Sequence, residues 1–262
     1  MDGDNLEDVL LYVRDVLGPY AEKVVIGGGI ALLIYREYLA GAQHALPRAA
    51  ATKDLDLVVE RSLVELEEPL SARLKRAGFE RETHSLDTPP VESYIASFPG
   101  EEIALEFLTD RKTRARSNRN VVVAGVSAQP LSYVEMSQSE TVAVEIRGEP
   151  MKVVSAPAWI FHKALTFVKR VSAEKQSKDL YGIWYAGSQL GVFSEQSLVE
   201  LETLANARPS RWRKTARKQL DEWIKEASPA DWERLEAQDP ARNLTRLRFR
   251  QFVEESFIPR LM

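Results

Sequence analysis

Asp54 and Asp56 stand two residues apart in Thr52-Lys53-Asp54-Leu55-Asp56-Leu57-Val58-Val59. On an extended strand alternate side chains share a face, so both carboxylates project together while Leu55 and Leu57 project the other way. Like charges so placed repel, and a divalent cation between them is a natural compensation. Phosphoryl-transfer sites use such carboxylates to hold one or two Mg²⁺ ions. The plainer reading is a solvated strand edge with two acids, which the poor strand propensity of Asp disfavours. Glu106 lies in Ile103-Ala104-Leu105-Glu106-Phe107-Leu108, an acid inside an apolar strand. Burying it is costly unless it is paired or coordinated, which makes it the best third metal ligand. Glu101 and Glu102, beside Pro99-Gly100, read as solvated.

Ahead of the acids, Val24-Val25-Ile26 runs into Gly27, Gly28 and Gly29. A dinucleotide fingerprint fails because Leu32 occupies its third glycine position, and no Gly-Lys-Ser/Thr follows for a Walker A loop. What remains is a backbone able to approach a phosphate, or else a plain tight turn. Lys163 sits among apolar neighbours in Trp159-Ile160-Phe161-His162-Lys163-Ala164-Leu165. It either snorkels from a buried stem or carries a point charge to a triphosphate. Arg170 and Lys178 read as surface charges. His44, His84 and His162 form no spacing suited to zinc or to a Ser-His-Asp arrangement.

The elements that must position these residues follow from periodicity. Residues 5–17 are helical, 24–26 form a strand, and a helix follows the glycines. Residues 41–51 read as a loop, 55–59 as a strand, and 62–77 as an amphipathic helix ending at Gly78. Residues 91–98 and 102–108 flank Pro99-Gly100 as a hairpin, with further strands at 120–126, 140–146 and 151–154. At Ser155-Ala156-Pro157 the pattern turns helical and stays so, with further helix starts at Ser194 and Ser228-Pro229. The expected fold class is α+β: a mixed sheet with flanking helices over 1–155, then an all-helical domain over 156–262.

Taken together, Ile26-Gly27-Gly28-Gly29, a helix, Thr52-x-Asp54-Leu55-Asp56-Leu57 and an acid on a later strand resemble the DNA polymerase β-like nucleotidyltransferase superfamily. Within it the chain looks most like the AbiEii-type toxin nucleotidyltransferases and neighbouring bacterial groups. Their Lys-containing helix resembles residues 157–170, and their following Lys-Asp segment resembles Lys178-Asp179-Leu180-Tyr181-Gly182-Ile183-Trp184, where Gly182 replaces a second Asp. The resemblance implies Mg²⁺ on Asp54, Asp56 and Glu106, and catalytic roles for these three and Lys163. It also implies nucleotide contacts at Gly27, Gly28, Gly29, Thr52, Lys163 and Asp179. The implied activity moves an NMP from an NTP to an acceptor, RNA or tRNA above all, in a toxin or defence role with an antitoxin partner. A small-molecule nucleotidyltransferase and a non-catalytic nucleotide- or RNA-binding protein of the same fold are the alternatives.

The absence of cysteine among 262 residues excludes disulfides, thiolate zinc sites and cysteine nucleophiles. No stretch is apolar enough to span a bilayer and the acidic N-terminus lacks a signal-peptide layout, so no membrane association and a cytoplasmic location are expected. The net charge of −4 divides into 17 basic against 25 acidic residues up to 155, and 18 against 14 beyond it. Three basic clusters, at 111–119, 208–218 and 242–250, are candidates for phosphate contacts with RNA. Trp212 either stacks on a base or joins an apolar stripe with Ala216, Leu220 and Trp223.

Overall fold

The computed structural model describes residues 5–41, 46–52, 54–84, 92–99, 101–111 and 121–262. His44, Lys53 and the basic run at 112–119 lie outside them. The described chain separates into two compact units, residues 1–31 with 51–154, and residues 32–50 with 155–262.

In the first unit, helix α1 (Leu6–Leu17) precedes strand β1 (Val24–Ile26) and helix α2 (Gly28–Ile34), whose later residues belong to the second unit. Then come β2 (Asp54–Val59), α3 (Leu70–Arg76), β3 (Glu80–Thr83), β4 (Glu92–Phe98) and β5 (Glu101–Asp110). The unit closes with β6 (Val121–Val123), β7 (Val126–Leu131), α4 (Val134–Ser139), β8 (Thr141–Ile146) and β9 (Glu149–Val154). The strands form one mixed sheet in the order β3-β4-β5-β2-β1-β9-β8, with β7 beside β5 and β6 outside β7. Strand β5 pairs in parallel with β2 on one edge; its other edge is shared by β4, antiparallel, and β7, parallel. Leu10, Val13 and Leu17 of α1 share a small apolar cavity with Leu55 and Leu57 of β2. Helix α1 therefore covers the Leu55 and Leu57 face of the sheet. Burial follows the two-residue period there: Leu55 and Leu57 are fully buried, Asp54 is exposed and Asp56 is intermediate.

Several expectations need correction. Of residues 62–77 only α3 is helical: Pro69, at φ −58° and ψ 145°, is its N-cap, and a proline there disfavours a helical backbone at the residue before it and brings no N–H to a helical ladder. The single strand expected at 120–126 is a hairpin that turns at Ala124 and Gly125, both at positive φ, and continues to Leu131. Helix α4 was not expected at all; its Gln138 Nε2 donates to the carbonyl of Val59 at 2.6 Å and so holds the end of β2.

In the second unit, α2 runs into a π-helical turn, Tyr35–Leu39. Helices α5 (Ala156–Thr166), α6 (Ala173–Ser188), α7 (Val192–Ala207), α8 (Ser210–Glu226), α9 (Pro229–Glu236) and α10 (Arg246–Gln251) follow. Helix α5 is apolar nearly all round, as a central bundle helix must be, and packs against α6, α7 and α8. Helix α9 starts at a Ser228–Asp231 capping box, whereas Ser194 lies inside α7 rather than at its start. There its hydroxyl accepts from the Leu190 N–H and donates to the Ala186 carbonyl, joining α6 to α7. Among the described residues no helix is long and apolar enough to cross a membrane.

Candidate functional site

Strand pairing brings the three acids to one face. Asp56 and Glu106 are direct neighbours across the parallel β2–β5 pair, and Asp54 lies two residues earlier on β2, opposite Ala104. Residues directly opposite on adjacent strands point to the same side of a sheet, so all three carboxylates project away from α1. Glu106 is intermediate in exposure, as Asp56 is. Among the described residues no group of three or more His, Cys, Asp or Glu side chains closes around a common point as a metal cage would.

The glycines fit against this face. The Gly27 N–H donates to the Asp56 carbonyl at 2.8 Å, tying the turn to β2. Gly28 has φ +59°, a conformation L side chains rarely adopt, and a Cβ there would overlap Asp56 Oδ2 and lie 2.7 Å from its Cγ. A Cβ on Gly29 would come within 2.9 Å of Thr52 Cβ; Thr52 is itself buried. The run is therefore more than a loose turn: two of its members abut residues of the Thr52-x-Asp54-x-Asp56 segment. Sequence patterns showed the glycines and the acids separately, but not that Gly28 leaves room for the Asp56 carboxylate.

Lys163 and Asp179 meet each other in the second unit. Lys163 Nζ lies 2.7 Å from Asp179 Oδ1 and 5.3 Å from the centre of the Trp159 ring. Arg170 is not a simple surface charge: its Nε donates to Asp179 Oδ2 at 2.6 Å, and its Nη2 to Oδ1 at 3.3 Å. Sequence gave no signal for this pairing because Arg170 stands in the connection ahead of α6 and Asp179 within that helix, so no helical spacing links them. Burial pushes the Asp179 carboxyl up, but the Lys163 and Arg170 charges and their hydrogen bonds outweigh it and hold it below the usual carboxylate range. Two cations on one anion leave the cluster with net positive charge. Gly182 faces the Trp159 ring, whose Cη2 a Cβ would overlap and whose Cζ3 would lie at 3.1 Å. An Asp has no room there in this packing.

A carboxyl held low stabilises the fold above its unfolded value, about pH 3.9, and that contribution is lost as pH falls through the lower folded value. Asp179→Ala should therefore cost about 3–5 kcal/mol near neutral pH, the usual effect of stripping one partner from a buried ionic cluster. Urea unfolding as a function of pH checks this; the gap from the parent protein should narrow steadily below pH 4.

In the two basic clusters that are described, 208–218 and 242–250, several of the cations have partners within the chain. In α8, Arg217 and Lys218 face Asp221 and Glu222, and Arg213 donates to Asn206 Oδ1 and the Met262 carbonyl. Arg246 lies over the Trp232 ring and Arg250 pairs with Glu254. Trp212 belongs to the apolar stripe: it is half-buried, 6.4 Å from the Phe161 ring, on the side of Ala216 and Leu220. His84 sits at the end of β3, hydrogen-bonded through Nε2 to Ser93 Oγ at 3.0 Å.

No protein-family model matches the chain, and no curated protein matches its sequence. Among solved structures it is similar to an antigenic nucleotidyltransferase-like protein from Paracoccidioides brasiliensis, at 16% identity over 82% of this chain and 94% of that one, with a TM-score of 0.40.

Proposed function

We propose that the protein is a Mg²⁺-dependent nucleotidyltransferase whose reactive face carries Asp54, Asp56 and Glu106. The observation that carries this reading is Gly28, at φ +59° and with no space for a Cβ, set against the carboxylate of Asp56 beside Glu106. A turn built so closely around an acid is unnecessary for a merely solvated strand edge. The donor set suits Mg²⁺, which takes hard oxygen ligands and is held by one or two carboxylates together with substrate phosphates. Once bound, the ion would neutralise charge on the phosphates and polarise the α-phosphoryl group.

In the proposed reaction an acceptor hydroxyl oxygen attacks the α-phosphorus of the NTP. The bond to the bridging oxygen breaks, and pyrophosphate leaves with the electron pair. Glu106 accepts the hydroxyl proton, and Asp54 and Asp56 would hold the ion. Gly28 and Gly29 let the backbone approach the phosphates, and Thr52 completes the wall against Gly29. Lys163 and Arg170, held by Asp179, form a cationic cluster on the second unit, the kind of charge a triphosphate attracts. Preorganised charge and in-line positioning provide most of the rate.

RNA of tRNA size is the proposed acceptor class, and a toxin or defence role with an antitoxin partner follows from the sequence resemblance. A non-catalytic nucleotide-binding role is the second reading, favoured by the already engaged Lys163. The test is transfer of label from each of the four NTPs, with Mg²⁺, into total bacterial RNA resolved on a gel. Label in tRNA-sized bands supports the proposal, whereas Mg²⁺-NTP binding without transfer to RNA or to small hydroxyl acceptors supports the second reading.

A further inference from the structure

Strand β5 changes partner at Glu106. Along one edge its rungs with β4 end at Tyr94–Leu105, and its rungs with β7 begin at Phe107–Ala128. Glu106 stands between them, with Asp56 across its other edge. Strands β4 and β7 therefore part beside Glu106. On the α1 face the parting is closed by Tyr94, a buried ring packed edge-on against Phe107, whose hydroxyl accepts from the Ser127 N–H at 2.9 Å.

Different residues edge the gap on the reactive face. Ile95 pairs with Ala104 and Ala104 with Asp54, so Ser93, two residues before Ile95, shares the face of the acids. Ser127 precedes Ala128, the partner of Phe107, and by alternation lies on that face too. His84, just past β3, holds Ser93: its Nε2 lies 3.0 Å from Ser93 Oγ, and its Nδ1 lies 4.0 Å from Glu82 Oε1. Serine, histidine and glutamate in that order invite a nucleophilic reading, but Ser93 is only 2% exposed, too enclosed for an electrophile to reach. The imidazole is the accessible member, with its side chain 34% exposed.

The order of strands gives the face a direction. It runs from the glycine turn after β1, to Asp54 and Asp56 on β2, to Glu106 on β5, and then to the gap between β4 and β7. In an in-line displacement the attacking and leaving oxygens lie on opposite sides of the phosphorus. With the pyrophosphate on the glycine side, the attacking hydroxyl comes from the side of the gap. The lining suits such a group. Serine hydroxyls and an imidazole both donate and accept, as a sugar hydroxyl does, whereas Glu106 and Glu82 repel a phosphate.

We infer that the gap beside Glu106, edged by Ser93, His84 and Ser127, is the subsite for the acceptor's ribose hydroxyls, and that His84 is a positioning residue that fixes the Ser93 hydroxyl there. The inference rests on the nucleotidyl-transfer reading of the same face.

The test has two parts. In steady-state transfer to bulk tRNA, Ser93→Ala and His84→Ala should each raise KM for tRNA about tenfold and leave KM for the NTP within about twofold, since one substrate alone loses contacts. His84→Gln, whose amide nitrogen can take the place of Nε2, should recover most of that loss. A KM for tRNA within about twofold of the parent in Ser93→Ala/His84→Ala overturns the inference. The second part needs no turnover. The chain has no cysteine, so the thiol of Ser127→Cys is the single target for iodoacetamide. Bulk tRNA should slow its alkylation at least about fivefold, and Mg²⁺-NTP alone by under about twofold, because thiol reactivity follows access. Alkylation untouched by tRNA, or slowed equally by the NTP alone, also overturns the inference. A parent protein that transfers nothing counts against the proposed function, and the alkylation result still decides which substrate occupies the gap.

Discussion

Replacing Asp54 and Asp56 together by Asn is expected to reduce nucleotidyl transfer by about a thousandfold or more, equivalent to roughly 4 kcal/mol in the barrier. The chain should stay folded. Asp54 is exposed and Asp56 intermediate, and Asn keeps the shape of each side chain. The burial that holds β2 in the sheet comes from Leu55, Leu57, Val58 and Val59 on either side of them. Neither substitution removes apolar burial from the sheet, so the thermal midpoint should stay within a few degrees of the parent. Steady-state transfer kinetics and a thermal melt on the same preparation check both halves. A variant that melts normally and still transfers at the parental rate would remove the acids from the mechanism.

Gly28→Ala is the second large effect. The new Cβ would be forced into a left-handed backbone, costing about 1–2 kcal/mol, and would also press on the Asp56 carboxylate. The second consequence separates site from scaffold. Gly148, in the β8–β9 turn, also has a positive φ, +84°, but a Cβ there meets nothing within 4 Å. Gly148→Ala should thus lose a similar amount of stability and retain full transfer. Gly28→Ala should lose transfer about a hundredfold, since a displacement of the order of 1 Å at a positioned group has that effect. Urea unfolding and kcat measured on the two variants side by side give the comparison.

What sequence could reveal here was local. The two-residue period placed Asp54 with Asp56 and against Leu55, because alternation depends only on the strand itself. The apolar run around Glu106 marked it for the same reason. That Asp56 faces Glu106 was not legible, since it depends on a parallel pairing between strands 50 residues apart. Proline punctuation marks the first turn of α5 at Pro157, and at Pro69 it overrides an amphipathic spacing that by itself suggests a longer helix. Arg170 looked solvated because its partner, Asp179, is brought to it only by the turn between α5 and α6. Tyr181 and Tyr185 looked like ordinary core residues of α6. Their rings are core residues; the hydroxyls that hold Ala50 and Pro47 are polar tips on an apolar pattern, which hydropathy does not register.

The most direct test of the acidic face is Mn²⁺ binding, followed by electron paramagnetic resonance with and without each NTP, on the parent protein and on Asp54→Asn/Asp56→Asn. Mn²⁺ prefers the same oxygen ligands as Mg²⁺ and reports its own environment. The parent should bind Mn²⁺ weakly alone and more tightly with a preferred NTP, and the double variant should lose both. Equal Mn²⁺–NTP binding by the two proteins would contradict the assignment of the metal and nucleotide to Asp54 and Asp56.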